Sequence, residues 1–444
     1  MPSEASASEF VRHSMREIAL IAFRDALALA TVEAAFARHV RYENGALRIC
    51  EDLYPLGSSE RVSIVSIGKA AHSMLDALVS QIGENYGGIV VASFDPAHQH
   101  HGFRYFLGGH PTPTAESVRA GRAVRSYLEH QSQNSLVIYL LSGGGSAMVE
   151  LPVSDEITLE DLAQTYQVLL LSGAPIAQIN AIRKHLSAIK GGRLAQAAYP
   201  AQQVSIMVSD VPENALDSLA SGPTMPDSTT LSDCRNLIKE YGLTAKFPPS
   251  VRRLFESDAL EETPKSDDPA FVRARWWPVL SNATAVKAAA EKMAASGFAV
   301  EIDNSCDDRD YAWAADHLLS RLHEIRKGAS RACLISGGEV TVKVAGKGGE
   351  GGRNQQFALY CAEHIAGENI AVLSAGTDGI DGSSHAAGAF VDGSTVQRAK
   401  DAGLDLSRAL AAFDAYPLLN RLADAIVTGP TNNNVRDLRI LLAY

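Results

Sequence analysis

The chain is 444 residues long, which at the usual domain size allows two or three domains. Hydrophobic residues make up 46% and charged residues 20%, which excludes global disorder. The net charge of −11, from 40 basic and 51 acidic side chains, argues against a nucleic-acid partner or an anionic membrane surface. An anionic ligand would have to be met by a few placed lysines, arginines and backbone N–H groups. No apolar run approaches the roughly 20 residues of a membrane-spanning helix. The opening MPSEASASEFVRH has no basic segment followed by an apolar run, so no secretory signal is expected. Five scattered cysteines form no C-x-x-C pair, as expected in a reducing cytoplasm.

In chain order, residues 9–40 read as one helix, with Met15, Ile18 and Ala22 at helical spacing. A turn-rich stretch follows. Strands are expected at Arg61–Ile67, Gly87–Ser93, Phe103–Leu107, Ser135–Leu141 and Gln203–Val208. Helices are expected at Lys69–Ile82, Glu116–His130, 158–171 and 175–198, with Thr158 and Asp161 forming a capping box. Short apolar strands without polar alternation, separated by helices, predict a parallel sheet covered on both faces. Residues 245–275, rich in proline and charge, read as a boundary or a surface excursion. Beyond them, strands at Trp276–Leu280, Ala299–Ile302, Ala332–Ser336, Ile370–Ser374 and Ala425–Thr428 alternate with helices. The expectation is an α/β chain of two domains, residues 1–250 and 251–444.

Glycine placement carries the chemistry. Thirteen of the 35 glycines lie between Gly337 and Gly393, and three more at Gly143, Gly144 and Gly145, mostly just past strand ends. In an open α/β sheet ligands bind there, and glycine lets backbone N–H groups approach them. Ser142-Gly-Gly-Gly-Ser146 reads as an anion nest, or as a tight turn that binds nothing. Lys69 follows a strand and a glycine at the head of a helix, where an ammonium can hold a phosphoryl group or simply face water. No Walker A loop is present. Gly337 and Gly338 precede Glu339. Residues 346–352 carry five glycines, among them Gly349, Gly351 and Gly352, and lead into Arg353. Such a loop is expected to order around a ligand, with an exposed hinge as the other reading. Asp378 and Asp381, among glycines after a strand, suit Mg²⁺ or an acidic turn. Asp210 ends a buried strand, a common place for a general base. The run His98, His100 and His101 lacks a helical H-x-x-x-H pair and reads as a polar surface loop.

Ten motifs in order carry a resemblance. IGKAA (67–71), GGHPTP (108–113), LLSGGGSAM (140–148), INAIRKHLSAIKGGRLA (179–195), SDVPEN (209–214), SGPT (221–224), SGGE (336–339), GGRNQ (351–355), SAGTDGIDG (374–382) and TGPTNNNV (428–435) resemble the class II glycerate kinases with their C-terminal MOFRL domain. The resemblance implies two α/β domains facing across a cleft, the first with a Rossmann-like sheet. It implies ATP-dependent phosphorylation of (R)-glycerate at its 2-hydroxyl, with Lys69 and Arg353 as the catalytic cations. Thr114 departs from the family, which often has an acidic residue there. Phosphoryl transfer needs positioning and charge neutralisation, so Asp210 is the expected base, Ser142–Ser146 and the later glycines the nucleotide loops, and Asp378 and Glu339 the Mg²⁺ ligands. The rival reading is an NAD(P)H-dependent hydroxypyruvate reductase. It lacks support from a G-x-G-x-x-G fingerprint after the first strand.

Overall fold

A computed structural model describes residues 4–57, 61–257, 259–344, 346–431 and 433–444, with side chains from His13 onward. Asn432, inside the 428–435 motif, lies outside the described residues. Two compact units form. One is Ala35–Val279, and the other joins the N-terminal stretch through Ala34 to Leu280–Tyr444. The expected division at 250/251 falls inside the helix Pro249–Glu256. Among the described residues no helix is long and apolar enough to cross a membrane.

The Ala35–Val279 unit opens with an antiparallel ribbon of β1 (Val40–Glu43), β2 (Ala46–Ile49) and β3 (Asp52–Pro55), where the sequence suggested only turns. Its main sheet contains β4 (Arg61–Ile67), β5 (Gly87–Ala92), β6 (Phe103–Leu107), β7 (Ser135–Ser142), β8 (Gln202–Val208) and β9 (Ala274–Leu280). The order is β6-β5-β4-β7-β8-β9, and β6 through β8 pair in parallel. This is the doubly wound order, with its reversal between β4 and β7. All eight residues of β7 are buried, as a strand covered on both faces must be. Val65, Ile67, Val137, Tyr139 and Leu141 pack with Val124 and Leu128 of the helix Ala115–Leu128 into one core. Thr114 caps that helix, so the departure from the family pattern has a structural use. The capping box at Thr158 and Asp161 is present.

The helix expected over 175–198 breaks into Ile176–His185 and Arg193–Ala198. Gly191 and Gly192 take left-handed φ of 57° and 86° there, and their N–H groups donate to the carbonyls of Ser221 and Gly222. The segment 245–275 is packed in place. Glu262 meets His185 at 2.6 Å, and Thr263 donates to Asp227 at 2.9 Å.

In the second unit the order is β10 (Ala299–Ile302), β11 (Ala332–Gly337), β15 (Asp437–Ala443), β12 (Ile370–Gly376), β13 (Gly388–Asp392) and β14 (Ala425–Ile426). Only β10 and β11 are parallel; β15 runs antiparallel to both β11 and β12. The strands β13 and β15 were not expected from the sequence. The antiparallel course of β15 has a functional consequence. Its first residues lie at the carboxyl ends of β11 and β12, with Leu438 opposite Gly337 and Asp437 opposite Gly376.

The helix expected over 9–40 ends at Leu29, and a second one runs Val32–His39 after Thr31 Oγ1 accepts the Ala34 N–H at 3.1 Å. Helix Glu4–Leu29 packs on helix Asn282–Ala295, with Asp25 and Lys292 at 2.7 Å, so the chain's start serves the unit formed by its end.

Candidate functional site

The loops after β4 and β7 meet at the reversal of the first sheet. Gly68 has φ of 123°, and a Cβ there would overlap the Ser142 backbone. Lys69 N–H donates to Gly143 O at 2.9 Å, and Ala70 N–H to Ser142 Oγ at 3.0 Å. The Ser142 hydroxyl therefore ties the two loops together and caps the helix Ala71–Ile82, which lacks a cap of its own. Gly144 sits at φ of 82°, and a Cβ on it would come within 3.1 Å of His110 and 3.2 Å of Lys69. A Cβ on Gly143 would overlap the Asp210 carboxylate. Lys69, His110 and Asp210 thus converge on one glycine loop. The charges register on His110. Its imidazole is held below the usual range first by burial and then by the Lys69 ammonium, against the opposing pull of Asp210.

Lys69 is exposed and has no ion-pair partner among the described residues. The N–H groups of Gly144, Gly145 and Ser146 donate to no protein acceptor among the described residues. Ser146 Oγ lies 2.8 Å from Ser221 Oγ. Ser221 and its neighbour Ala220 are non-glycine residues at positive φ, 62° and 50°, a conformation costing roughly 1–2 kcal/mol each. The Gly191 and Gly192 bonds hold this strained turn.

Behind it lies the segment 179–195. Lys190 is buried against Glu150, which also accepts from Tyr166 Oη at 2.6 Å, Ser187 Oγ at 2.7 Å and the Leu151 N–H at 3.0 Å. Burial lowers Lys190 to about 8, against the raising effect of Glu150. Lys184 bridges Asp217 at 2.8 Å and Asp227 at 3.2 Å. Both lysines of this motif are thus spent on carboxylates from outside it.

In the second unit, the carboxyl ends of β11 and β12 and the start of β15 gather Glu339, Asp378, Arg436, Asp437 and Arg439. Arg353, at the start of helix Arg353–His364, makes a bidentate contact to Asp437, Nε to Oδ2 at 2.6 Å and Nη2 to Oδ1 at 3.0 Å. Glu339 takes Nη2 as well, at 2.8 Å. Burial works against the Arg353 charge, but Asp437 and Glu339 outweigh it and push the guanidinium upward. Arg436 clamps Asp307 in the same bidentate way, at 2.5 and 2.6 Å.

The N–H groups of Gly337, Gly338 and Glu339 are already engaged, by Asn304 at 2.8 Å, Asn282 at 3.0 Å and Asp307 at 2.9 Å. The glycine-rich loop before Arg353 is likewise ordered by protein. Gly349 N–H donates to Ala412 O, and Gly351 N–H to Ser383 Oγ. A Cβ on Gly349 would strike Asp414, and one on Gly352 would strike Asp381. Close packing accounts for glycine at these positions.

Asp378 accepts from the Ile380 N–H at 3.1 Å, and its carboxyl is raised by burial, with the Asp437 carboxylate adding to the effect. Asp381 is not an open metal ligand. It caps the helix that begins at Arg353, accepting from Asn354 N–H at 3.1 Å and Gln355 N–H at 2.9 Å.

Sequence reasoning missed Asp437, Arg436, Asp307 and Ser221 as parts of these sites. Only Ser221 carried a signal, as the head of the SGPT motif. The others depend on an unexpected strand or on long-range pairing.

A doubly wound sheet with a cation and open N–H groups at its reversal, joined in one chain to a mixed sheet bearing an arginine–carboxylate cluster, defines an α/β protein of two compact units. Residues 18–256 match the model named Domain of unknown function (DUF4147), and residues 332–437 match the MOFRL family. The D-glycerate 2-kinase of Thermotoga maritima is 36% identical over 401 residues, covering 88% of this chain and 93% of that protein. A relative from Agrobacterium vitis, 36% identical over 393 residues (86% of this chain, 87% of the relative), carries the provisional name hydroxypyruvate reductase. The crystal structure of glycerate kinase from Thermotoga maritima matches with a TM-score of 0.84 at 33% identity, over 97% of this chain and 100% of that one. The chain belongs to the DUF4147–MOFRL family of glycerate kinases.

Proposed function

We propose that the protein is an ATP-dependent glycerate 2-kinase, transferring the γ-phosphoryl of ATP to the 2-hydroxyl of (R)-glycerate to give 2-phosphoglycerate and ADP. The observation that carries this reading is the reversal of the first sheet, where Lys69, without an ion-pair partner among the described residues, stands beside the open N–H groups of Gly144, Gly145 and Ser146. Such a place meets phosphate oxygens at low cost, because no protein partner has to be displaced. The loop after β4 carries a single glycine and a lysine, not the three glycines of a dinucleotide fold, which disfavours a reductase.

In this reading the hydroxyl oxygen attacks phosphorus as the bond to the β,γ-bridging oxygen breaks. Asp210 takes the hydroxyl proton. Lys69 neutralises charge on the transferring group. Arg353, fixed by Asp437 and Glu339 through Nε and Nη2, offers Nη1 to a phosphoryl or carboxylate oxygen. Mg²⁺ is implied by the reaction class and fits Asp378. Its carboxylate offers oxygen ligands, and a cation would offset both its burial and the Asp437 charge beside it. Glu339 fits less well, because Arg353 holds its carboxylate. When bound, Mg²⁺ would supply charge neutralisation between phosphates. We place the reaction in the cytoplasm, in keeping with five free cysteines.

The test is product analysis. Purified protein with ATP, Mg²⁺ and (R)-glycerate should yield ADP and 2-phosphoglycerate, and ADP should not appear without glycerate. Oxidation of NADH by hydroxypyruvate, with no phosphoryl transfer, would overturn the reading.

A further inference from the structure

The histidine-bearing loop between β5 and β6 belongs to none of this chemistry. From the sequence it reads as a polar surface loop, because it lacks a helical H-x-x-x-H pair and lies between short strands. In the structure Asp76, on the helix Ala71–Ile82, comes up against it. The ligand atoms of Asp76, His98 and His100 all lie within 4.8 Å of one another. His100 Nε2 stands 2.7 Å from Asp76 Oδ1, and His98 Nε2 stands 3.6 Å from the same oxygen.

We propose that Asp76, His98 and His100 form a binding site for a transition-metal cation, with Zn²⁺ as the best-suited ion. Two imidazoles and a carboxylate make an N₂O set, which favours Zn²⁺ and its neighbours over Mg²⁺ or Ca²⁺, whose preferred shells are all oxygen.

The site is partly built in advance. The His100 side chain is only 9% exposed, and its backbone N–H donates to Tyr105 Oη at 2.9 Å. Its ring lies edge-on to Phe103 at 6.4 Å. Its other nitrogen, Nδ1, faces Glu84 Oε1 at 4.0 Å. A carboxylate hydrogen-bonded to the far nitrogen of a ligating imidazole is the usual outer support of a metal site, and Glu84, beyond hydrogen-bond distance here, would take that role by closing on the ring. His98 lies edge-on to His100 at 4.7 Å and is 61% exposed, as is Asp76 to 48%, which leaves the outer side open to water or a further ligand. A bound ion would tie the helix that begins just after Lys69 to the β5–β6 loop.

The test uses the whole chain, stripped with a chelator and titrated with Zn²⁺ by calorimetry, with Co²⁺ absorption as a second readout. The expected result is one Zn²⁺ per chain that excess Mg²⁺ does not displace, a tetrahedral-type Co²⁺ spectrum and a raised unfolding midpoint. His98→Ala, at an exposed position, should abolish the one-to-one binding while circular dichroism and basal turnover stay as in wild type. Glu84→Gln should weaken it by about tenfold. His101→Ala should leave it unchanged. Failure of the wild-type chain to bind Zn²⁺, or undiminished binding by both His98→Ala and His100→Ala, would overturn the proposal.

Discussion

The loops at the end of β7 and those at the end of β11 share a composition and differ in use. At Gly144–Ser146 the N–H groups have no protein acceptor among the described residues, and the nearby cation, Lys69, has no carboxylate partner. At Gly337–Glu339 each N–H is taken by an asparagine or aspartate, and the nearby cation, Arg353, is clamped by Asp437 and Glu339. Glycine leaves N–H groups open in the first place and serves close protein packing in the second. A charge held open can follow a phosphoryl group as its charge develops, whereas a clamped charge is fixed in direction beforehand.

Lys69→Ala gives the largest expected effect. Turnover should fall on the order of 10³-fold or more, because nothing else at that loop supplies positive charge. Stability should stay within about 0.5 kcal/mol, since no partner is orphaned. Matched kcat and urea-unfolding measurements check both halves of the statement.

Arg353→Lys sharpens the contrast. An ammonium keeps the charge but loses the planar fork, so turnover should drop on the order of 10²-fold. Here stability should fall too, by about 2 kcal/mol, because Asp437 is left buried without its bidentate partner. A variant with lowered turnover and unchanged unfolding midpoint would show that the clamp is not structural.

Asp378→Asn should raise the Mg²⁺ concentration needed for half-maximal rate by about tenfold. An unchanged requirement at limiting Mg²⁺ would shift the metal role to Asp210 or Glu339.

The smallest effect concerns pH. Burial, ahead of the opposing helix N–H groups, pushes Asp381 from 3.8 up to about 6. Between those values the folded chain holds a proton that the unfolded chain has released. This group therefore favours the folded state increasingly as pH falls from 7 towards 4. Asp381→Asn, neutral throughout, should compare better with wild type at pH 7 than at pH 4.5 in unfolding midpoint. The reverse ordering would mean that the cap's hydrogen bonds dominate.

The first sheet was legible because its strands are short, apolar and buried on both faces, as in SLVIYLLS of β7. The second was legible in part: β10, β11, β12 and β14 were expected, but β13 and β15 were not, and β15 carries a fully buried Arg439 within its apolar run and follows a polar turn. With β15 unread, the meeting of Asp437 and Arg353, 84 positions apart, could not be foreseen. The glycine loops were visible at strand ends. Whether their N–H groups are open depends on Asn282, Asn304 and Asp307, side chains supplied by distant segments, and no local pattern announces that. The 175–198 helix failed for a nearer reason. Its first part ends at His185, and two left-handed glycines precede its second part; both stand in the sequence as a Gly-Gly pair.

The comparison between the two glycine ends is tested most directly by calorimetric titration of ADP into Gly144→Ala and Gly338→Ala. Both substitutions place a Cβ at positive φ, 82° and 89°, at similar backbone cost, and the Cβ at position 338 also meets the Asp307 carboxylate at 2.7 Å, so Gly338→Ala carries the larger folding penalty. Gly144→Ala is predicted to weaken ADP by about tenfold or more, because the open N–H groups shift away from the phosphates. Gly338→Ala is predicted to bind ADP as the unaltered chain does, although it is less stable. Loss of ADP binding in Gly338→Ala with wild-type affinity in Gly144→Ala would contradict the account and move the phosphate site to the second unit.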